Sequence, residues 1–465
     1  MDNQKQQNNW QKHKISNITQ TLQKYYKNIT KNSWLFKENI IFLKTKKITI
    51  KMEALGLAIG DIIVGIDIGT SKVTTVVGEV NNFNQIETVC MSKSKCVGVK
   101  KSKIINENEV AMSIAKTIND AEEEANLRIN SAYVTIPGKY VTIVQNSVVK
   151  EIKDKFSGIS IKDVNSALML VKDIELPDNK TIIDIVPEQF KLADGNIVSD
   201  PVGCMSENFT VNAEIILADK DYVKQLHQIF KKVDLEIDGM VPVTLAERNL
   251  VLDANELNDH IMLLDIGAGN TEIGIFSGNK FAYTNTIPLG GENITNDIAV
   301  VLDISIEEAE KLKRQYGLAL KSFIDNDNDI VLNTCNGLSK TKTIKSSKLI
   351  EIIEARIEEI FSLINKDITA NGNKTKINNV VLTGQGITNI NKSDVAGKIA
   401  LNIPVKMSTG RLISTIRPSY RTAYSLVRYI AARPFAKSVS SSIDTVLEDN
   451  FIKALIARVK EFFYS

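Results

Sequence analysis

Two segments far apart in the chain repeat one pattern, in which an apolar strand is followed by an aspartate, a glycine-centred turn and a second β-rich run. They read Asp67-Ile68-Gly69-Thr70-Ser71 and Asp265-Ile266-Gly267-Ala268-Gly269-Asn270-Thr271. Glycine lets backbone N–H groups approach phosphate oxygens, hydroxyls and amides add donors, and a carboxylate at the strand end can hold Mg²⁺ through water. A single copy is better explained as an ordinary hairpin turn, which aspartate and glycine favour. Two copies favour paired loops that bind one triphosphate from both sides.

The elements that must position these turns follow from hydrophobic periodicity. Each turn joins two β-rich runs and is predicted to form a hairpin. In the first part of the chain, residues 108–127 predict an amphipathic helix with Val110, Ile114, Ile118 and Ala121 on one face, and 131–137 predict a strand that ends at a proline. Further elements suggest a compact inserted subdomain followed by a return to the first lobe: a helix at 163–171, strands at 182–186 and 210–217, and a helix at 222–233.

Composition limits the class of protein. The chain has 465 residues, 43% of them hydrophobic, which suits two large lobes or several smaller domains. Its 57 Lys and Arg against 55 Asp and Glu give a net charge of +2, so no overall field favours nucleic acid. The four cysteines, Cys90, Cys96, Cys204 and Cys335, show no metal-ligand spacing and suit a reducing cytosol.

The two ends of the chain differ from its middle. Residues 1–60 are rich in Asn, Gln and Lys, which predicts a poorly ordered extension or a short interaction helix; Met52 is a possible alternative translation start. No stretch reaches the ~20 apolar residues of a membrane-spanning helix, and the first residues lack the apolar core of a signal peptide. We therefore expect a cytoplasmic protein unless it binds a membrane peripherally.

A serine-rich linker at 435–446 precedes an amphipathic helix at 447–465. At about 100° per residue its large apolar side chains share one face and basic residues border that face. A terminal helix of this kind can dock on the protein's own core, but the linker and the basic border favour insertion among anionic lipid headgroups. The expected membrane-binding residues are Phe451, Ile452, Leu455, Ile456, Val459, Phe462 and Phe463, with Lys453, Arg458 and Lys460.

The paired loops resemble those of the actin, sugar-kinase and DnaK-type superfamily, and within it the FtsA family. Residues 64–73 resemble the first phosphate motif of that family and 263–272 the second, with Ala268, Asn270 and Glu272 as departures. The resemblance covers about 61–465. It implies an α/β, actin-like, duplicated ribonuclease H-like two-lobe ATPase fold with an inserted SHS2-type (IC) subdomain. The implied divisions are 61–147 and 219–260 for lobe I, 148–218 for the insertion, 261–299 and 376–434 for lobe II, and 300–375 for subdomain IIB.

The resemblance also implies a set of nucleotide contacts. The glycine pair Gly290-Gly291 opens a helix beside the nucleotide, Glu308 and Lys311 approach the ribose and adenine, and Gln385 replaces a usual glycine in the adenosine motif. On charge spacing alone, Glu308 and Lys311 are equally explained as a solvated helix face. The implied binding residues are Asp67, Gly69, Thr70, Ser71, Lys72, Asp265, Gly267, Ala268, Gly269, Asn270, Thr271, Gly290, Gly291, Glu292, Glu308, Lys311, Gly384, Gln385 and Gly386, with Asp67 and Asp265 holding Mg²⁺ through water.

These features predict an ATP- and Mg²⁺-binding protein of bacterial cell division that polymerises and tethers the ring of the tubulin-like protein FtsZ to the cytoplasmic face of the plasma membrane at the septum. By resemblance, the FtsZ tail docks on 300–375, and anionic lipids, further copies of the chain and later division proteins are the other partners. The sequence assigns no catalytic residue, since His227 reads as a surface or packing residue on its helix, so hydrolysis stays open. An actin-fold kinase for a small metabolite is the alternative, and a DnaK-type chaperone is disfavoured because no peptide-binding domain follows the second lobe.

Overall fold

The computed structural model describes residues 60–81, 86–153, 158–333, 341–408 and 416–432. The expected N-terminal extension with Met52, the linker at 435–446 and the membrane-binding helix at 447–465 lie outside the described residues. None of the described helices is long and apolar enough to span a bilayer.

Lobe I begins with a β-meander and a helix. Its elements are β1 (Ile62–Ile68), β2 (Lys72–Val80), β3 (Ile86–Lys95), β4 (Val99–Lys100), β5 (Lys103–Ile104), α1 (Glu107–Ala125) and β6 (Ser131–Ile136). The strand β1 forms the predicted hairpin with β2 around the Gly-Thr-Ser turn, and β3 continues the sheet antiparallel to β2. The side chain of Asn106 caps α1, whose buried face contains the predicted Val110, Ile114, Ile118 and Ala121.

A subdomain with its own hydrophobic core is inserted after β6. Its elements are β7 (Val141–Glu151), α2 (Ile161–Val171), β8 (Lys180–Leu192), β9 (Ile197–Val198) and β10 (Asn208–Asp219). The sheet order is β7-β10-β8-β9, and α2 packs on β7 and β10. The sheet begins at Val141, earlier than the expected boundary at 148, because β7 pairs along its whole length with β10.

Three elements return the chain to lobe I: α3 (Lys220–Lys231), β11 (Glu236–Pro242) and α4 (Val243–Val251). The completed sheet has the order β11-β6-β1-β2-β3, with β6 parallel to β1 and β11 parallel to β6. Its central strand β1 is largely buried, as expected for a strand covered on both faces.

Lobe II repeats this topology. Its elements are β12 (His260–Ile266), β13 (Thr271–Ser277), β14 (Lys280–Ile287), α5 (Gly291–Leu302), α6 (Ile306–Tyr316), β15 (Asp329–Asn333), β16 (Thr341–Lys345), α7 (Ser346–Ala370), β17 (Asn379–Thr383), α8 (Ser393–Leu401) and β18 (Val405–Met407). Its sheet has the order β14-β13-β12-β17-β18, with an antiparallel meander on one side of β12 and parallel strands on the other.

The last described helix, α9 (Arg421–Ala432), packs on β1, β2 and α4 of lobe I. A Cβ at Gly65 would lie 2.8 Å from Val427 and 2.9 Å from the carbonyl oxygen of Ala423, so glycine permits this close approach. The expectation that 376–434 belongs to lobe II is therefore wrong for α9. The apolar face of this helix completes the core of lobe I.

Candidate functional site

The two aspartates occupy equivalent places in the duplicated fold. Asp67 is the penultimate residue of β1 and Asp265 is the penultimate residue of β12. Both line a cleft of about 520 Å³ between the lobes, a volume typical of small-molecule sites. The cleft brings together these residues predicted from the sequence: Asp67, Gly69, Thr70, Ser71, Lys72, Asp265, Gly267, Ala268, Asn270, Gly291, Glu292, Gln385 and Gly386.

The first carboxylate is held by neighbours within lobe I. Thr135 Oγ1 donates to Asp67 Oδ1 at 2.7 Å. Burial raises the pKa of Asp67, whereas the Thr135 hydrogen bond and the charge of Lys72 oppose that rise. Lys72 Nζ donates across the cleft to Gln385 Oε1 at 2.6 Å. The departure at Gln385 thus gives the two lobes a direct polar contact at the first phosphate loop.

The second carboxylate has a partner that the sequence analysis missed. Arg421 Nη2, at the start of α9, donates to Asp265 Oδ1 at 3.3 Å. Arg421 Nε lies 3.5 Å from Oε1 of Glu247 in α4, which also accepts a hydrogen bond from Thr422. Burial raises the pKa of Asp265 and raises that of Glu247 to about 8, with the charge of Arg421 opposing both shifts. The sequence indicates this contact only through one charged residue on the apolar face of each helix, Glu247 in α4 and Arg421 in α9.

Glycines allow three loops to pack against one another beneath the cleft. A Cβ at Gly386 would lie 2.2 Å from the carbonyl oxygen of Gly267, and one at Gly291 would lie 2.5 Å from Gly386 Cα. Gly291 N–H donates to Gly267 O at 2.9 Å and Gly386 N–H donates to Ile266 O at 2.8 Å. The predicted residues Gly269, Thr271, Gly290 and Gly384 do not line the cleft. They shape these loops instead, as when Thr271 Oγ1 donates to Leu289 O at 2.9 Å.

The charged pair of α6 differs from the predicted one. Glu310 and Lys313 line the cleft, and buried Lys313 donates to Gly291 O at 3.0 Å and to Thr295 Oγ1 at 2.8 Å. Glu308 and Lys311 form a loose pair at 4.0 Å outside the cleft lining, and the Lys311 side chain is 69% exposed. The prediction of Glu308 and Lys311 is corrected to Glu310 and Lys313. Side chains two positions apart on a helix point in directions about 200° apart, so only one of the two pairs can face the cleft.

The departures at Asn270 and Glu272 form a second contact between the lobes. The Glu272 carboxylate accepts from the backbone N–H of Gly138 at 2.9 Å, from Thr286 Oγ1 at 2.8 Å and from Asn270 Nδ2 at 2.6 Å. Asn270 also donates to Ser102 Oγ at 2.7 Å, in a turn where Ser102 has φ 56°. Burial raises the pKa of Glu272 to about 7. These bonds join lobe I to the second phosphate loop.

The cleft presents two carboxylates, Asp67 and Asp265, that a metal ion could use. Among the described residues, no group of three or more His, Cys, Asp or Glu side chains could hold a metal ion. Mg²⁺ usually takes one or two carboxylates and completes its shell with phosphate oxygens and water. Asp67 and Asp265 fit that requirement. His227, on α3, does not line the cleft.

Two equivalent α/β lobes with paired aspartate–glycine loops on one cleft define an actin-like fold. Among solved structures, the chain resembles one described as the PilM-PilN type IV pilus biogenesis complex, with a TM-score of 0.51 and 16% sequence identity, covering 80% of this chain and 99% of the other.

Sequence comparison identifies the family within this fold class. The model of cell division protein FtsA matches residues 262–425, and that of the SHS2 domain inserted in FtsA matches 138–217, which contains β7 from its first residue. The chain is 28% identical over 369 residues to cell division protein FtsA of Bacillus subtilis, covering 79% of this chain and 83% of the relative. It is 27% identical over 376 residues to that of Pseudomonas aeruginosa, covering 80% and 89%. The chain belongs to the FtsA family of cell-division proteins.

Proposed function

We propose that the cleft binds ATP with Mg²⁺. The observation that carries the proposal is the pair of carboxylate loops at equivalent strand ends, facing one cavity. Lys72 and Arg421 offer positive charge for phosphate oxygens, and Asp67 and Asp265 offer carboxylates for metal-bound water. The glycine loops can form the wall of the cleft, because a side chain at Gly386 or Gly291 would collide with neighbouring backbone and push these loops apart.

The nucleoside end of the site is assigned to α6. Glu310 and Lys313 lie on the cleft wall, and Lys313 is held by Gly291 and Thr295 at the start of α5. A ribose hydroxyl can donate to a carboxylate such as Glu310, and the aliphatic stem of Lys313 offers apolar surface to a base. Phosphoryl transfer also needs a positioned water. We assign no side chain to that step and give the protein a mainly structural role.

In the cell, the nucleotide state would set how subunits assemble into actin-like filaments that attach the FtsZ ring to the cytoplasmic face of the plasma membrane at the division site. Family membership supports the division role. We assign docking of the FtsZ tail to residues 300–375, which include α6 and α7, and lipid binding to the terminal helix at 447–465. One helix binds a bilayer reversibly, and a filament that presents many copies converts weak contacts into stable attachment.

The test combines the full chain with ATP, Mg²⁺ and vesicles that contain anionic lipid. We expect filaments on the vesicle surface by electron microscopy with ATP and none without it, and co-flotation of protein with vesicles. A chain ending at Ser442 should bind ATP with unchanged affinity but remain in the unbound fraction. A folded full chain with no affinity for ATP would contradict the proposal. Turnover of ATP that depends on a small metabolite and is insensitive to the truncation would favour the kinase instead.

A further inference from the structure

Arg421 is a deeply buried cationic side chain that bonds the aspartate of the second phosphate loop. Only 7% of its side chain is exposed, and it lines the cleft beside Asp265. It enters from α9, a helix of lobe I, whereas Asp265 belongs to the central strand of lobe II. The contact therefore crosses between the lobes at the position where a metal-bound nucleotide is expected.

The guanidinium lies between two carboxylates, and Arg421 also lines the cleft. Nη2 donates to Asp265 Oδ1 at 3.3 Å, and the buried Nε lies 3.5 Å from Glu247 Oε1. A buried charge is costly unless it is paired and hydrogen-bonded. Because Arg421 lines the cleft, its guanidinium can also meet an anionic ligand there, since guanidinium groups suit phosphate oxygens.

Two carboxylates of the cleft have a protein cation beside them. Asp67 and Asp265 face the cleft together with Lys72 and Arg421. In a site with two carboxylates and no such cations, phosphate oxygens would be repelled until a metal neutralised the carboxylates. Here the charge of Lys72 acts on Asp67, and Arg421, which also faces buried Glu247, bonds Asp265, so the protein itself provides part of that neutralisation.

We propose that Arg421 acts as a built-in cation of the nucleotide site, which neutralises Asp265 so that this chain binds a nucleoside triphosphate with only a weak requirement for Mg²⁺. This inference rests on the proposed nucleotide binding. Because arginine stays charged at every physiological pH, its contribution is permanent, whereas a metal must be recruited with the ligand.

The test measures the affinity of the full chain for ATP by titration calorimetry, once with excess Mg²⁺ and once with EDTA. For the unmodified chain we expect the dissociation constants for ATP in Mg²⁺ and in EDTA to differ by no more than about tenfold. A tenfold change in affinity corresponds to about one charge-assisted hydrogen bond. The double variant Arg421→Met, Glu247→Leu removes both buried charges without leaving Glu247 unpaired, and such replacements are often tolerated. Its affinity should fall at least about tenfold more in EDTA than in Mg²⁺, because Asp265 without Arg421 can then interact more strongly with metal-bound water.

The variant Arg421→Lys keeps the charge and should retain binding in EDTA, with folding of each variant checked by circular dichroism and thermal melting. Equal losses in EDTA and Mg²⁺ would assign Arg421 a purely structural role and overturn the inference. A strict Mg²⁺ requirement in the unmodified chain would overturn it without any variant. No binding by the unmodified chain under either condition would instead refute the proposed function on which the inference rests.

Discussion

The two copies of the strand–aspartate–turn–strand motif share a topology but differ in what surrounds the aspartate. In the first hairpin Asp67 pairs with Thr74, and in the second Asp265 pairs with Glu272, at the same register position. Asp67 has its cation nearby in sequence, at Lys72, whereas Asp265 receives Arg421 from the far end of the described chain. The duplicated fold places the carboxylates, and long-range packing then gives each a different environment.

The surroundings of the two turns also differ. The equivalent glycines are similarly placed, since a Cβ at Gly69 would lie 3.1 Å from Lys72 O and one at Gly267 would lie 3.3 Å from Asn270 O. The loops that contain Gly290, Gly291 and Gly386, however, pack against the second turn. We therefore expect the packing around the second turn to tolerate change less well than the first turn.

The largest effect is expected from Gly386→Ala. The new Cβ would lie 2.2 Å from Gly267 O and 2.7 Å from Ile266 O, both backbone atoms that cannot move independently. We expect a loss of about 3 kcal/mol or more in the free energy of unfolding, measured with urea, and loss of ATP binding. Gly69→Ala, in the first phosphate turn, is the control, because its Cβ would lie 3.1 Å from Lys72 O, and it should cost below about 1 kcal/mol. Equal losses would show that the loop of Gly386, which packs against the second turn, is no more constrained than the first turn.

A smaller loss is expected from Glu272→Ala. The substitution leaves the Gly138 N–H, the Thr286 hydroxyl and the Asn270 amide without their acceptor. Unmade buried hydrogen bonds of this kind cost about 2–3 kcal/mol together after some relaxation. The measurement is urea unfolding at pH 8.

Thr74→Val is the control at the equivalent position of the first copy. Thr74 Oγ1 is buried and has no hydrogen-bond partner among the described residues. Replacing the hydroxyl by a methyl group of similar shape should therefore be neutral or stabilising by up to about 1 kcal/mol. Destabilisation of both variants by the same amount would mean that the polar contact between the lobes is not what distinguishes the second copy.

Lys313→Met separates the observed cleft pair from the one predicted by sequence. It removes the donors to Gly291 O and Thr295 Oγ1 at the start of α5, and we expect a loss of about 2 kcal/mol and weaker ATP binding. Lys311→Met is the control on the same helix and should change the free energy of unfolding by less than about 0.5 kcal/mol, since that side chain is 69% exposed. The opposite ranking in an ATP titration would restore the original assignment.

The sequence was sufficient for features that repeat or that have a local period. It located both aspartates, the hairpins around them and the buried face of α1, because these depend on neighbouring residues. It missed Arg421 and Glu247, and it placed the charged pair of α6 two residues too early. Those features depend on which face of a helix meets a distant loop, and charge spacing along one helix is the same on either face. The start of the inserted sheet at Val141 was missed, although Pro137 and Gly138 mark a turn directly before β7.

The smallest effect is expected where the insertion meets an edge strand of lobe II. Glu214 of β10 is buried and accepts a hydrogen bond from the Phe281 N–H of β14 at 2.8 Å. Burial raises the pKa of Glu214 from 4.5 to about 7, and the charge of Glu188 adds to the rise, while the Phe281 hydrogen bond, Lys280 and Arg248 oppose it. Because the pKa is higher in the folded state, the associated stability is present below pH 4.5 and is lost as the pH rises through about 7.

Glu214→Gln keeps a carbonyl acceptor for Phe281 and removes the charge, so the variant should be more stable than the unmodified chain by about 1–2 kcal/mol at pH 8. The difference should shrink steadily as the pH falls from 7 to 4.5, which urea unfolding at several pH values can follow. Glu151→Gln, at an exposed position of β7 in the same sheet, should give no such trend. Parallel stability curves for the unmodified chain and Glu214→Gln would mean that this carboxyl is ionised in the folded protein. The contact of the insertion with β14 would then be a charged one that stabilises the pairing of the two lobes at neutral pH.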